Sequence, residues 1–201
     1  MNLLSIHDGH NCGVAIFKNG KLICALSEER ITRNKNEYGF PMHAIKKILQ
    51  YSKLTKNSID EISVSTKKLP PKYFLVKRNT TFTIDDYYKE QNEYWYKKIY
   101  LKKKIKYLEV FKNKKVNKSK LHYNFKNIKN EDDFSGMMDA RREFISNFFS
   151  VNKKKIFFYD HHECHAYYGF YGHKKPHKKT CVITLDGGGD DTNAAIWLSK
   201  N

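Results

Sequence analysis

An Asn-Gly step at residues 19 and 20 most constrains the fold of this chain. It separates two segments rich in apolar residues, Cys12 to Lys18 and Lys21 to Glu28. Both positions of a two-residue hairpin turn require a positive φ angle, which asparagine and glycine adopt more readily than other residues. The sequence therefore predicts an antiparallel hairpin, preceded by a strand from Asn2 to His7 and by the polar turn Asp8-Gly9-His10-Asn11.

A second hairpin is predicted around residue 186. The strand-like run Thr180 to Leu185 ends in Asp186, the turn Gly187-Gly188-Gly189-Asp190 follows, and the apolar segment Ala194 to Ser199 completes the pattern. Glycine has no side chain, so the backbone amides of this turn could approach a phosphate group closely. The stretch places a carboxylate beside a potential phosphate-binding turn.

Between the two hairpins, apolar spacing predicts helices at residues 42–51 and 137–149 and strands at residues 60–66 and 155–159. The mixed-charge segment 28–35 is predicted to be a loop. Its Arg33 and Lys35 could face an anion, or its charges could pair with one another in solvent. The sequence leaves both interpretations open.

Most of the positive charge lies in one region. The net charge is +17, and residues 67–129 hold 19 Lys and Arg against 5 Asp and Glu. Aromatic residues are interleaved with these lysines, at spacings that allow one or two long amphipathic helices between Ile84 and Val116. Such a surface could stack bases and bind phosphates, but we favour a basic helical insertion, residues 67–135, whose aromatic edge packs on the parent domain. Nucleic acid is therefore not the expected partner.

His161 and His165 provide the clearest sign of chemistry. In the segment His161 to Phe170, which is predicted to be helical, they lie four residues apart and share one helix face. They could therefore chelate a single metal ion, and metal and phosphate chemistry could meet at the strand end that carries Asp186. His162 lies off this face and is expected to cap the helix or to form hydrogen bonds in the second coordination shell. An exchange of roles between His162 and a metal-binding histidine stays open.

The composition argues against a membrane-spanning or secreted chain. No apolar run approaches the roughly 20 residues of a transmembrane helix, and no secretory signal is recognisable at the N-terminus. The four cysteines are scattered and form no Cys-x-x-Cys pair. They are expected to be small core residues in a reduced, cytoplasmic compartment.

The order of elements predicts an α/β fold. Three strands, a helix, a strand, the insertion, a helix, a strand, a helix and a new hairpin suggest the ribonuclease-H-like plan that the actin-like ATPase superfamily uses twice. Residues 1–178 would form the first lobe, including the insertion. Residues 179–201 would form the opening hairpin of a second lobe that is truncated there.

Four blocks of sequence, in this order, resemble the N-terminal part of the O-carbamoyltransferase family, whose members carbamoylate nodulation factors and several antibiotics. The blocks are Gly9-His10-Asn11-Cys12-Gly13-Val14-Ala15, Glu28-Glu29-Arg30-Ile31-Thr32-Arg33-Asn34-Lys35 with Gly39-Phe40-Pro41, Asp160-His161-His162-Glu163-Cys164-His165-Ala166, and Leu185-Asp186-Gly187-Gly188-Gly189-Asp190. The same lobe resembles that of the tRNA threonylcarbamoyladenosine transferases, which share the histidine pair.

The resemblance implies that a separate C-terminal domain joins carbamoyl phosphate and ATP as carbamoyl-adenylate. The present lobe would help to transfer the carbamoyl group to a small-molecule acceptor that carries a hydroxyl. The resemblance also implies His161, His165 and Asp186 as ligands of an iron- or zinc-like divalent ion. Two imidazoles and a carboxylate would suit manganese as well, and they leave coordination positions open. It implies His10 as an acid, base or orienting residue near the transferred group, and the turn Gly187-Gly188-Gly189-Asp190 as a contact of the nucleotide phosphate and ribose.

Members of that family are much longer than this chain. The rest of the second lobe, a further metal-ligand carboxylate and the adenylate-forming domain are expected on another chain, or are missing because the product is truncated. The alternative is a non-catalytic lobe or binding module whose Lys- and Tyr-rich insertion holds RNA or an acidic partner. Steep salt dependence of binding would favour that alternative, whereas loss of transfer with a chelator would favour the enzyme.

Overall fold

The computed structural model describes residues 1–78, 81–118, 121–172 and 179–199. Its main sheet contains β1 (Asn2–His7), β2 (Gly13–Lys18), β3 (Lys21–Ser27), β4 (Glu61–Ser65) and β5 (Ile156–Tyr159). The strand order is β3-β2-β1-β4-β5, with antiparallel pairing on the β3 side of β1 and parallel pairing on the β5 side. The predicted α/β class is therefore confirmed, with a mixed central sheet.

The first hairpin forms as predicted. Asn19 and Gly20 have φ angles of 50° and 77°, the positive values that a two-residue turn needs. β1 is the central strand and runs parallel to β4, with His7 beside Ser65. The chain therefore leaves both strands at the same edge of the sheet, where the turn Asp8-Gly9-His10-Asn11 lies.

Eight helices occur within the described residues. They are α1 (Glu29–Thr32), α2 (Met42–Ser52), α3 (Pro71–Leu75), α4 (Ile84–Lys89), α5 (Lys97–Ile99), α6 (Tyr107–Val110), α7 (Phe134–Phe149) and α8 (His161–Tyr171). Short 3-10 turns occur at Lys56–Ser58, Lys112–Lys114 and Lys153–Lys155. A second, two-stranded sheet consists of β6 (Cys181–Leu185) and β7 (Ala194–Leu198) and packs against α8.

The long helices and the main sheet share one apolar core. α2 lies against β2 and β3, and α7 lies against β5. Both helices carry apolar residues at three- and four-residue spacing, which gives each of them one buried face. The largest fully buried apolar side chains of this core are Leu4, Ile6, Ile16, Ile45, Ile48, Ile62, Met137 and Phe149.

The insertion has a small core of its own. Helical structure runs without a break from α4 through a π-helical segment, Glu90–Tyr96, into α5. One long helix thus forms where one or two were predicted. Lys102, with a φ of 52°, adopts a left-handed conformation just after this helix. α6 is short, and the carboxylate of Glu131 accepts the backbone N–H groups of Tyr107 and Leu108 at its start.

Aromatic residues of the insertion make structural contacts. Tyr94, Tyr107 and Phe111 are fully buried, and they form a cluster with the buried side chains of Val76 and Phe82. Since a base can stack only on an accessible ring face, the two buried tyrosines are not available for nucleic acid. Tyr96 and Tyr100 are exposed and stack on each other, with ring centroids 5.5 Å apart. The buried aromatic residues between Ile84 and Val116 pack in a cluster made of residues of the insertion itself, whereas the prediction had them packing on the parent domain.

The segment 28–35 contains helix α1, so the predicted loop is wrong. The N–H of Thr32 donates to the carbonyl of Glu28 at 3.0 Å, and Arg33, with a φ of 59°, ends the helix. Four helical residues are too few for a periodic pattern to indicate them. Arg33 and Lys35 are exposed.

Cysteine placement agrees only in part with the prediction. All four cysteines are free; Cys12 is buried, Cys24 and Cys164 are partly buried, and Cys181 is exposed. Cys181 is not a core residue, because it lies with Ile183 on the face of β6 that points away from the protein.

None of the described helices has the length and apolar character needed to cross a bilayer. The basic loop predicted at residues 172–179 lies almost entirely outside the described residues.

Candidate metal centre

The start of α8 fixes the positions of two histidines. Asp160 follows β5, and its carboxylate accepts the N–H of Glu163 at 3.1 Å, which is the side-chain contact of an N-cap. The helix therefore begins at His161, and His165 lies one turn later on the same face. The predicted helix is confirmed here.

Three ligand atoms converge at this face. His161 Nε2 lies 2.7 Å from Asp186 Oδ2, His165 Nε2 lies 3.2 Å from the same oxygen, and the two Nε2 atoms are 3.1 Å apart. Ligands at about 2.0–2.1 Å from one ion are separated by about 3.0–3.4 Å. His161, His165 and Asp186 are the group of potential metal ligands found among the described residues. Their donor types and spacing fit one divalent ion.

Asp186 lies at the end of β6, in a constrained turn. Its N–H donates to the carbonyl of Asn193 at 2.9 Å, and its Oδ1 accepts the N–H of Gly187 at 2.6 Å. The hydrogen bond from His161 is the main cause that lowers the pKa of this carboxyl, and the N–H of Gly187 acts in the same direction. Oδ2 is therefore an ionised oxygen that faces both histidines. The side chains of His161, Asp186 and His165 are 23%, 38% and 51% exposed, so an ion could reach them.

Asp190 connects this turn to the main sheet. Its Oδ2 accepts the N–H of Lys67 at 2.9 Å and that of His161 at 3.0 Å, while Oδ1 accepts the N–H of Lys68 at 3.0 Å. The ammonium group of Lys68 in turn contacts Asp191. The carboxylate of Asp190, which was predicted to contact the nucleotide, thus already binds three backbone groups.

His162 points away from the three ligand atoms. Its Nε2 donates to the carbonyl of Thr192 at 2.8 Å, so Nδ1 accepts from the hydroxyl of Thr184 at 2.9 Å. A Cβ atom added at Gly189 would lie 2.5 Å from the His162 ring, which explains why glycine is needed there. Around Gly187 and Gly188 a Cβ atom would meet nothing within 4 Å. The backbone at these two glycines is open to solvent.

His10 lies on the turn after β1, and its neighbour His7 supports it. His7 Nδ1 lies 2.7 Å from Ser65 Oγ, and its Nε2 donates to the carbonyl of His10 at 2.8 Å. The backbone of His10 also forms an isolated bridge with Tyr38. Partial burial is the main cause that lowers the pKa of His10, Arg78 lowers it further, and Asp186 opposes the shift. His10 is therefore close enough to Asp186 for the charge of the carboxylate to act on its pKa.

A buried ion pair below the site was missed by the sequence reasoning. Asp8 and Arg141 are both fully buried and face each other, and Tyr123 donates to Asp8 at 2.5 Å. Arg141 lies four residues after Met137 and four before Ile145, on the buried face of α7. An arginine at such a position requires an acidic partner, and this spacing was the signal that could have indicated it.

Comparison with known proteins gives one family match over nearly the whole chain. A family model described as the carbamoyltransferase N-terminus matches residues 3–201. That range includes the turn with His10, both histidines of α8 and the β6–β7 hairpin. The match therefore covers every group described above.

Two proteins of Methanocaldococcus jannaschii are also similar in sequence. The uncharacterized protein MJ1058 is 30% identical over 212 residues, which cover 95% of this chain and 31% of the relative. The uncharacterized protein MJ1051 is 40% identical over 62 residues, which cover 31% of this chain and 12% of the relative. The matched region is less than a third of the length of either relative.

Proposed function

The chain belongs to the carbamoyltransferase N-terminus family, and on that basis we propose that it is the N-terminal part of an O-carbamoyltransferase. The carbamoyl group would pass from carbamoyl-adenylate, made from carbamoyl phosphate and ATP, to a hydroxyl of a small-molecule acceptor. Because the relative MJ1058 is much longer than the matched region, adenylate formation is assigned to a domain outside these residues. That domain would lie on another chain or on a longer form of this one, in the cytoplasm.

The strand arrangement supports the first lobe of a ribonuclease-H-like, actin-like fold for residues 1–178. The sheet has β1, β2 and β3 antiparallel and β4 and β5 parallel to β1, in the order β3-β2-β1-β4-β5, which is compatible with that lobe. β6 and β7 form a separate sheet, in keeping with the proposal that residues 179–201 open a second lobe. The basic residues 67–135 would be an insertion in the first lobe.

The convergence of His161, His165 and Asp186 is the observation that carries the proposal. Two neutral imidazoles and a carboxylate would hold a divalent iron or zinc ion, and further ligands would come from outside these three residues. A bound ion would act as a Lewis acid that polarises a carbonyl or phosphoryl oxygen. The exposed edges of the three side chains allow a substrate to approach.

His10 is the proposed acid–base residue. Because partial burial lowers its pKa below the usual value of 6.5, the ring is mostly neutral at pH 7 and has a free nitrogen lone pair. It can then take the proton of the acceptor hydroxyl as the oxygen bonds to the carbamoyl carbon and AMP leaves. The hydrogen bond from His7 to the His10 carbonyl orients the turn on which this ring lies.

Gly187 and Gly188 are the proposed contacts for the nucleotide phosphate. Their surroundings are open, and a glycine backbone lets an anion approach its amides closely. Gly189 would have a structural role, because the absence of a side chain leaves room for the ring of His162. The carboxylate of Asp190 already accepts three backbone N–H groups, so its main contribution to a nucleotide site would be to hold the turn in place.

Metal binding is tested by titration of the full chain. The wild type should bind one equivalent of Zn²⁺ or Fe²⁺ in competition with a chromophoric chelator. H161A, H165A and D186N should each weaken binding by more than about tenfold. H43A is the control, because the side chain of His43 is 59% exposed and contacts Glu28 instead. Equal affinities of the wild type and the three variants would contradict the proposal.

Transfer is tested with carbamoyl-adenylate generated from ATP and carbamoyl phosphate by a separate adenylate-forming domain. In the presence of hydroxyl-bearing acceptors the wild type should release AMP faster than the protein-free reaction. H10A should remove that acceleration while leaving metal affinity unchanged. Acceleration by H10A equal to that of the wild type would exclude His10 from the chemistry, and no acceleration by either protein would reject transfer by this chain.

A further inference from the structure

Thr66 has an unusual backbone conformation. It follows the last residue of β4, it is buried, and its φ angle is 72°. A β-branched residue rarely adopts the left-handed region, because its Cβ substituents crowd the neighbouring carbonyl groups. Such a conformation persists only where the surrounding contacts impose it, and it is often found at functional sites.

Contacts on both sides hold Thr66 in this conformation. Its carbonyl accepts a hydrogen bond from Arg141 Nη1 at 2.9 Å, and Arg141 is itself fixed by the buried carboxylate of Asp8. The next backbone N–H, that of Lys67, donates to Asp190 Oδ2 at 2.9 Å. The same oxygen accepts the N–H of His161 at 3.0 Å. One carboxylate oxygen therefore joins the backbone beside Thr66 to the first residue of α8.

The side chain of Thr66 faces the ring of His161. Thr66 Oγ1 lies 3.4 Å from His161 Nδ1, while Nε2 of the same ring lies 2.7 Å from Asp186 Oδ2. The ring thus has the carboxylate on one nitrogen and the threonine hydroxyl on the other. A metal-binding histidine commonly donates its second ring N–H to an oxygen of the protein, and this contact fixes the ring's orientation and tautomer.

We propose that Thr66 is a positioning residue that holds His161 with Nδ1–H towards the threonine hydroxyl and Nε2 towards the ion. This inference rests on the metal assignment of the proposed function. The strained backbone places Oγ1 within reach of Nδ1, and the contacts from Arg141 and Asp190 keep it there. Thr66 thereby links the buried ion pair under the turn of His10 to the metal ligands.

Three substitutions separate the hydroxyl from the backbone strain. Thr66→Ser keeps the hydroxyl, Thr66→Ala removes it, and Thr66→Gly removes both the hydroxyl and the crowding at positive φ. We expect T66S to bind Zn²⁺ within about threefold of the wild type, and T66A and T66G to bind it about 10- to 100-fold more weakly. Metal-free T66G should unfold at the same temperature as the wild type or higher. T55A, a change at an exposed threonine, is the control.

A purely structural role for Thr66 predicts a different pattern. In that case T66A and T66G would bind Zn²⁺ as tightly as the wild type, and the inference would be wrong. If the wild type bound Zn²⁺ no better than H161A, the metal assignment would fail as well, so the two failures can be told apart. NMR of the wild type with Zn²⁺ gives a second measurement that needs no variant. It should detect His161 with a protonated Nδ1, and an unprotonated or metal-bound Nδ1 would overturn the proposal.

Discussion

Arg141 holds Asp8 through two parallel hydrogen bonds, from Nε to Oδ2 at 2.8 Å and from Nη2 to Oδ1 at 2.6 Å. Both side chains are fully buried, and the same guanidinium also donates to the carbonyl of Thr66. The pair therefore connects the end of β1 to the end of β4. Burial of two charges is tolerated when each hydrogen-bonding position is filled in this way.

Loss of Arg141 should destabilise the protein strongly. R141M leaves the carboxylate of Asp8 buried without a counter-charge, so the free energy of unfolding should fall by about 3–5 kcal/mol. Adding D8N should recover part of that loss, because a neutral amide does not require the guanidinium. Urea denaturation measures both changes. R142M is the control and should cost clearly less, about 1 kcal/mol, since Arg142 forms its ion pair with the exposed Asp139 and its guanidinium lies over the ring of Phe158, with no buried counter-charge left behind. A small effect of R141M would contradict the structural role of the ion pair.

The carboxylate of Glu28 should stabilise the start of α2. It accepts the N–H of His43 at 3.0 Å and the N–H of Ala44 at 2.7 Å while it is almost completely buried. E28A leaves those groups without their partner and should lower the free energy of unfolding by about 1–3 kcal/mol. Chemical denaturation and helix content by circular dichroism measure the loss. E109A, at an exposed side chain, should change little, and equal effects of the two variants would count against the cap.

The two neighbouring glycines Gly188 and Gly189 should respond differently to alanine. A Cβ at Gly189 would lie 2.5 Å from the His162 ring and 2.7 Å from the carbonyl of Thr192, whereas Gly188 has free space. G189A should therefore cost about 1–3 kcal/mol through overpacking. G188A should leave stability within about 1 kcal/mol of the wild type and, on the proposed function, weaken nucleotide binding. Thermal unfolding and ATP titration of both variants distinguish the two roles.

Buried and exposed tyrosines of the insertion offer a fourth comparison. Tyr107 is fully buried, its hydroxyl donates to Glu90 at 2.8 Å, and Arg78 donates to the same hydroxyl. Y107A should lower the free energy of unfolding by about 3–5 kcal/mol. Y100A, at a side chain that is 75% exposed, should cost less than about 0.5 kcal/mol. Similar losses of unfolding free energy in the two variants would show that the buried cluster of Val76, Phe82, Tyr94, Tyr107 and Phe111 does not stabilise the insertion.

Stability should depend on the protonation of His7. Burial lowers the pKa of His7 in the folded protein below its ordinary value of 6.5, although Asp8 opposes the shift. Well above pH 6.5 both the folded and the unfolded states are neutral at this residue, and its contribution is fully present. As the pH falls below 6.5, the unfolded state binds the proton first, and stability is lost down to the lowered pKa.

H7Q removes this titration and provides the measurement. The difference in unfolding free energy between the wild type and H7Q should shrink between about pH 7 and the lowered pKa of His7. Subtraction of the two curves cancels the contributions of the titratable groups that do not interact with His7. A difference that stays constant over this range, or that grows as the pH falls, would contradict the direction of the shift.

Local features of the fold could be predicted because they depend on neighbouring residues. The positive φ angles at Asn19 and Gly20 follow from the residue types, and the shared face of His161 and His165 follows from the helical repeat. The helix α1 escaped prediction, because its four residues are held by contacts that the local pattern does not reveal.

Long-range contacts explain most of what was missed. The carboxylate of Asp190 binds the N–H groups of Lys67 and Lys68, which are more than 120 residues earlier in the chain. A short acidic residue in a glycine-rich turn suggests a ligand contact, and nothing in its neighbourhood indicates such distant backbone partners. Asp186 is 25 and 21 residues from the two histidines in the chain, and their approach depends on the fold. The resemblance to a known family indicated this approach where spacing alone did not.

The single oxygen of Asp190 that is shared by Lys67 and His161 has a thermodynamic consequence. It ties the β6–β7 turn to the main sheet at the point where the candidate ligands meet. A cation that bridges Asp186 and the two histidines would join the same two parts of the protein. Binding of such a cation and the contacts of Asp190 would therefore be coupled reciprocally, and each would favour the other by the same free energy.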